Sequence, residues 1–314
     1  MLSRTADHLF WQSRYIERAE NTARMLDVNY QATLLPQSPE LTLQGWRSLL
    51  SISELLPAYT ARYGEIDPGR VQQFVVSDED NPSSIISCLR AARENARAVR
   101  GTLTTEVWET TNQTWLEFNR MVRAGAVARE PAKLFEWVKL RAHQVRGVTL
   151  GTMLQDEALD FLRIGSFLER ADNTARMLDV KFHAVHAESE EPRDNASEFY
   201  HWSAVLLSVS AFEIYRKVYS NVIVPEKVAE LLILRQAMPR SLAHCMGRLV
   251  SNLNRVANAQ SAETRRQAGR LKSELDYGRI DEILATGLHV YLTGFLERVN
   301  ELGQGISRDF LIPS

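Results

Sequence analysis

The sequence predicts an all-α fold: an internally duplicated multi-helix bundle whose two halves are pseudo-equivalent and expected to pack as one body. Three observations carry this. Apolar residues recur at helical spacing along almost the whole chain, which is the pattern of helices that bury one face. Runs of alternating apolar and polar residues bounded by Asn-Gly or Asp-Gly, the mark of hairpin strands, are missing. The stretch Ile16 to Val28 returns as Leu168 to Val180, changed only by Leu168 for Ile16 and Asp172 for Glu20. At 314 residues the repeat offset is about half the length, so the chain reads as two similar units, 1–150 and 151–314, with a boundary near Gly151.

The elements follow in order. Helix breakers stand at Pro36 and Pro39, between Gly64 and Gly69, at Asp80-Asn81-Pro82, from Gly125 to Pro131, from Glu188 to Pro192, at Val224-Pro225 and at Met238-Pro239, dividing the chain into roughly a dozen helices. Each half opens on the repeated charged helix. A Trp-led helix follows, Trp46 with Leu49 to Ser53 in the first half and Trp202 with Leu206 to Ser210 in the second. After a short helix comes one opened by Pro-x-Ser: Pro82 to Ile85 with Cys88, matched by Pro239 to Leu242 with Cys245. Serine and proline suit helix starts, because a serine hydroxyl accepts from a free amide and proline has no amide to leave unsatisfied. Beyond Arg100 and Asn258 the two halves no longer align.

Composition excludes several classes of function. A net charge of -2 and an isoelectric point near 6.4 provide no broad field for nucleic acid or anionic membrane, so anion binding must come from local arginine clusters. Cys88 and Cys245 sit at matching places and read as small buried residues rather than a disulfide, which fits a reducing cytoplasm. The start of the chain lacks a basic segment followed by an apolar run, and the apolar stretch from Trp202 to Phe212 is too short to span a bilayer.

On a helical wheel Glu17, Glu20, Asn21, Arg24 and Asp27 form one arc and Ile16, Ala19, Ala23, Leu26 and Tyr30 another, which is expected to face the core. A solvated Glu20 to Arg24 pair contributes only a few tenths of a kcal/mol, too little to preserve identity. After duplication a solvated face drifts, yet Glu17/Glu169, Asn21/Asn173, Thr22/Thr174, Arg24/Arg176 and Asp27/Asp179 are unchanged. Contact therefore holds this arc, either through polar networks between helices, whose buried members must be satisfied, or through a ligand.

Further candidates are dispersed. Arg90, Arg93, Arg97 and Arg100 recur at three- and four-residue steps, a stripe of forked donors suited to carboxylate or phosphate. Gly247, Val250, Asn254 and Ala257 replace it in the second half, so architecture does not require it. It reads equally as an exposed basic face or as an anion-binding wall. His143 lies among polar residues as a candidate acid or base, and Asp156 and Glu157 either add carboxylates to the second repeat helix or favour its amino-terminal end. Asp179, His183 and His186 have metal-like spacing, but Asp27, Gln31 and Leu34 break the set in the first half, and the Glu-x-x-His element of di-metal bundles does not occur. No metal is expected. Phosphate-loop, dinucleotide and nucleophile-elbow motifs are missing too, so any nucleotide chemistry belongs to another protein.

The run Arg14 to Asp27, the segments Asp78 to Ile85 and Asp156 to Phe161, and Phe167 to Arg176 together resemble the bacterial alpha-E family, over essentially the whole chain. That resemblance implies association with a circularly permuted ATP-grasp protein, often with a transglutaminase-like protein nearby, in machinery that makes or modifies peptide-like amides. It implies ATP and Mg on the partner and no cofactor on this chain. The family supplies no established catalytic residue. Glu17 and Glu169 are the candidates for catalysis, and Glu20, Asn21, Arg24, Arg93, Arg97, Asp172, Asn173 and Arg176 for holding an amino-acid, peptide or acyl-phosphate substrate. The rival reading is a non-catalytic helical adaptor that docks the ATP-grasp or transglutaminase-like partner.

Overall fold

The computed structural model describes residues 1–34, 38–186, 195–219 and 222–311, except for the side chains from 182 to 198. Pro36, the break at 188–192 and the His183 and His186 side chains lie outside the described residues. Every regular element among those described is a helix. Two compact units divide between Ser166 and Phe167.

The first unit contains α1 (Ser3–Thr33), α2 (Pro39–Ile52), α3 (Leu56–Tyr63), α4 (Pro68–Val76), α5 (Ile85–Ala98), α6 (Thr105–Arg123), α7 (Ala126–Arg129), α8 (Pro131–Thr152) and the opening turns of α9 (Glu157–His186). The helix α1 packs on α5 and α8, and α6 packs on both of those, closing a four-helix ring. The core face of α5 is Ile85, Cys88, Leu89, Ala92 and Ala96. Small residues there allow close approach to α1. The short helices α2, α3 and α4 form a side cluster around the fully buried Trp46 and Tyr59.

The second unit continues α9 and adds α10 (Asn195–Ser208), α11 (Phe212–Tyr219), α12 (Pro225–Ile233), α13 (Leu242–Arg255), α14 (Ala262–Tyr277), α15 (Ile280–Thr286) and α16 (Leu288–Phe310). Here α13, α14 and α16 pack in succession, and α9 meets α13 through Phe167 and His244 and α16 where Leu168 lies against Gly303. Among the described residues sixteen helices are resolved against the dozen expected. The excess comprises single-turn or two-turn pieces such as α7 and α15, too short for a period to register.

Local chemistry explains the boundaries. Ser38, Asp67, Ser84, Thr104 and Ser241 each accept from an amide in the first turn of the helix they precede. Proline occupies the first turn of α2, α4, α8 and α12, where a missing amide costs nothing. The helix α2 ends with Glu54 left-handed at φ 56°, the Leu55 amide bonding back to the Leu50 carbonyl and Glu54 to Ser51. That is a Schellman closure without its usual glycine. In the second unit α10 ends the same way, on Ser210 at φ 52° with Ala211 bonded to Leu206 and Ser210 to Leu207.

Candidate functional site

In α1 the charged arc is buried together with the apolar one. Glu17 is 1% exposed, Glu20 0%, Asn21 3% and Arg24 8%, while Ala19, Ala23 and Leu26 on the other arc are equally enclosed. The helix is thus central rather than amphipathic, and two carboxylates sit in its buried stretch. Such charges are tolerated only with opposite charges and hydrogen bonds around them. Those come from α8.

The helix α8 presents Lys139, His143 and Arg146, at steps of four and three, to Asp27, Arg24, Glu20 and Glu17 of α1. Rising numbers on one helix meet falling numbers on the other, so the seam is antiparallel. Arg146 Nη2 donates to Glu17 Oε2 at 3.0 Å and also to Glu20 Oε2. Arg24 donates Nε and Nη2 to Glu20 Oε1 at 2.9 and 2.7 Å. Ser166, in the opening turns of α9, donates its hydroxyl to Glu17 Oε2 at 3.0 Å. Lys139 Nζ bridges Asp27 at 2.6 Å and Glu136. Burial pushes the Lys139 ammonium down, but its bonds to Asp27 and Glu136 more than offset this and hold it above the usual lysine range.

Exposure rises outward along this arrangement. The Glu17 and Glu20 side chains are inaccessible, Arg146 is partly open, and the His143 side chain is 51% exposed. His143 Nε2 lies 3.0 Å from Arg24 Nη2 and Nδ1 lies 3.2 Å from Arg146 Nη1. A neutral imidazole has one acceptor nitrogen, so it can accept from one of these guanidinium groups at a time. Chemically, two buried carboxylates hold two forked cations whose outer edges converge on a half-open imidazole. Such an edge suits an anion. The carboxylates themselves are engaged with arginine and serine, which favours a positioning role over a basic one for Glu17.

The other residues singled out from sequence fall elsewhere. Arg90 pairs with Glu79, Arg93 with Asn112 and Glu94, and Arg97 with Glu94, while Arg100 lies over the Trp108 ring. None of these partners belongs to the α1–α8 seam. The structure therefore does not bring Arg93 and Arg97 to the cluster, because they occupy the flank of α5 directed to α6 and solvent. Asp156 caps the first turn of α9 through Ala158 and Leu159, and Glu157 pairs with the Met1 amine, which is the helix-start reading of that pair.

In the second unit Glu169 is buried at 5% exposure, whereas Asn173 is half-buried. Arg176 forks onto Asp172 at 2.7 and 3.0 Å, and Asp179 meets His289 of α16 at 2.7 Å. Thr174 donates to the Arg240 carbonyl, tying α9 to the turn before α13. Cys88 and Cys245 are buried. No group of three or more potential metal ligands occurs among the described residues. No described helix is long and apolar enough to cross a membrane. Sequence reasoning missed Lys139, Arg146, Ser166 and His289; the cationic step pattern on α8 was the available signal for the first two.

Comparison with known proteins adds a family and little chemistry. A family description, a predicted alpha-helical domain with a conserved ER motif, matches residues 1–311. In the two repeated helices Glu-Arg stands at 17–18 and 169–170. The chain is 23% identical over 333 residues to Uncharacterized protein Rv2567 of Mycobacterium tuberculosis (strain ATCC 25618 / H37Rv) and to Uncharacterized protein Mb2597 of Mycobacterium bovis, in each case covering 95% of this chain and 35% of the relative. It thus spans about a third of the length of the curated relatives it matches. No solved structure matches.

Proposed function

The chain belongs to the Alpha-E family, and from that premise we propose that it serves an ATP-grasp-associated system making or modifying peptide-like amide bonds. In this reading it binds the carboxylate or acyl-phosphate end of an amino-acid or peptide intermediate. The observation that carries it is the pair of guanidinium groups, Arg24 and Arg146, anchored on buried Glu20 and Glu17 and turned toward the half-open His143 edge. Anchoring lowers the rotamer entropy an arginine loses on binding, and a planar guanidinium fork is the donor geometry that matches a carboxylate or phosphoryl group. ATP and Mg belong to a circularly permuted ATP-grasp partner. About two thirds of each curated relative lies outside the matched region, which leaves room for such a partner in the same chain. A reducing cytoplasm fits the two buried cysteines.

We also infer that the halves arose by duplication. Beyond the repeated helix, the paired Schellman closures support this, as do the serine caps at 84 and 241. So do the Tyr59 and Tyr215 hydroxyls, each of which spans the turn before the next helix by accepting from an amide there and donating to a carbonyl. The adaptor reading draws on the same seam, since bonds that satisfy Glu17 and Glu20 internally serve architecture as well as binding.

One experiment separates the two. An ATP-grasp partner is assayed for ATP-dependent condensation with the full chain, with Arg146→Lys, and without the chain. Lysine keeps a cation against the carboxylates but loses the fork. We expect copurification to persist in R146K while the rate falls at least about tenfold, equivalent to about 1.4 kcal/mol of transition-state stabilisation. A rate unchanged by R146K but lost without the chain supports the adaptor. If the chain neither copurifies nor alters the rate, both readings fail.

A further inference from the structure

Along the boundary between α5 and α6 two rows of side chains run antiparallel. Arg90, Arg93 and Arg97 form one row on α5, and Arg100 extends it past the helix end. Trp108, Asn112 and Trp115, at steps of four and three, form the facing row on α6. The Arg100 guanidinium lies 5.6 Å from the centre of the Trp108 ring, and Arg93 Nε donates to Asn112 Oδ1 at 2.7 Å. Rising numbers on one helix meet falling numbers on the other, which brings the Arg90 level of α5 to the Trp115 level of α6. We propose that this arginine and tryptophan face docks an acidic amphipathic helix of a partner protein. The surface is separate from the α1–α8 seam, so its role stands or falls independently of the anion-binding role given to that seam.

Charge sets the sign of the partner. Four guanidinium groups share this face with two carboxylates: Glu94 is divided between Arg93 and Arg97 at 2.6 and 2.7 Å, and Glu79 engages Arg90 at 2.8 Å. Arg100 has a ring in place of an acid. The Arg97 side chain is 65% exposed and that of Arg90 43%, and water-screened pairs of this kind exchange partners at little cost. Glu106 and Glu109 stand on rows of α6 beyond the tryptophans, away from α5. The tryptophans add an apolar component: Trp108 and Trp115 are half-buried, and Leu116 beside them is 51% exposed. Aromatic and apolar surface next to arginine is the composition from which protein interfaces draw their affinity. Spacing selects a helix. Arginines at steps of three and four climb about 1.5 Å per residue, and glutamates at the same steps on a second helix keep pace with them. The second unit carries Gly247, Val250, Asn254 and Ala257 at the matching places, so the shared architecture does not demand the stripe. A net charge of -2 disfavours a polyanion such as nucleic acid.

The probe is a synthetic helical peptide with glutamates at steps of three and four along one row and leucines along the next. Its binding to the full chain is measured by titration calorimetry at low salt. Wild type should bind it, less tightly as salt is raised. Arg97→Glu, checked for an unchanged melting curve, should weaken binding at least about tenfold by setting a like charge against the peptide glutamates. Lys133→Glu is the matched control: its cation is 77% exposed and paired three residues away with Glu130, as Arg97 is with Glu94, but it stands in the first turn of α8. It should leave binding nearly unchanged. Trp115→Ala should weaken binding at least about fivefold, a loss that charge alone does not produce. Equal losses in R97E and K133E, or no binding of the peptide by wild type, would overturn the docking surface. Tighter binding of a single-stranded oligonucleotide than of the peptide, lost in R97E, would replace the acidic helix by a nucleic acid.

Discussion

At the scale of the residue, the outcome turns on which charged groups are dry. Arg24 and Arg97 are the same side chain at the same kind of helical spacing from an acid, yet the partner of Arg24 is inaccessible while Arg97 is 65% exposed. Water screens the second pair and leaves it a fraction of a kcal/mol; the first is a requirement of the fold. Arg146→Gln should therefore destabilise the first unit by about 2–4 kcal/mol, somewhat below the full cost of breaking a buried pair because Arg146 is itself partly open. Arg97→Gln should stay within about 0.5 kcal/mol. Urea unfolding of both variants checks this, and equal losses would mean that the carboxylates do not depend on Arg146. Identity between the repeats survives at Glu17 and Arg24 and marks contact there. Arg146 and Lys139 lie where the second half no longer aligns with the first, so no surviving identity marks them.

Among the elements, helix crossings are decided by a few positions. A Cβ on Gly165 would lie 2.3 Å from the Phe10 carbonyl oxygen and 2.4 Å from the Ser13 hydroxyl, so the start of α9 lies directly against the α1 backbone. Gly269, within α14, has nothing nearby. Gly165→Ala should cost about 1–3 kcal/mol by forcing the helices apart. Gly269→Ala should stabilise by about 0.5–1 kcal/mol through helix propensity and a less flexible unfolded chain. Thermal melts of the pair decide the matter, and a neutral G165A would show that the crossing has slack. The same contact explains why α9 begins in the first unit: its opening turns are held by α1 through Gly165 and Ser166. The Trp-led helices show a finer point. Their closures pair Leu50 with Leu206, whereas reading Leu49 to Ser53 against Leu206 to Ser210 sets the leucines and serines one residue out of register.

For the molecule as a whole, each unit has eight helical pieces among the described residues when α9 is counted with the second, and the opening helices have 31 and 30 residues. The Trp-led helices have 14 each and the serine-capped helices 14 each. If the units descend from one ancestor, equivalent positions carry equivalent loads. Ser84 caps Ser87 and donates to the Asp78 carbonyl; Ser241 caps His244 and donates to the Arg235 carbonyl. Ser84→Ala and Ser241→Ala should each cost about 1–2 kcal/mol, the usual size of a cap loss. Hydrogen exchange resolved by unit would read the two losses separately, and a marked inequality would argue that the resemblance of the ends is superficial. The units differ in chemistry, because the Arg146 and His143 edge belongs to the first.

The amino-acid sequence by itself determined the helical class, the serine- and proline-marked helix starts, the doubled signature and the buried thiols, since these depend on neighbours a few residues apart. Tertiary structure alone decided that the charged arc lies inside, that α8 supplies its counter-charges, and that Arg93 and Arg97 belong to another face. Periodicity ranks faces by polarity and places polar ones outward. A carboxylate face becomes an interior one only when a second helix, more than a hundred residues away, brings cations to meet it.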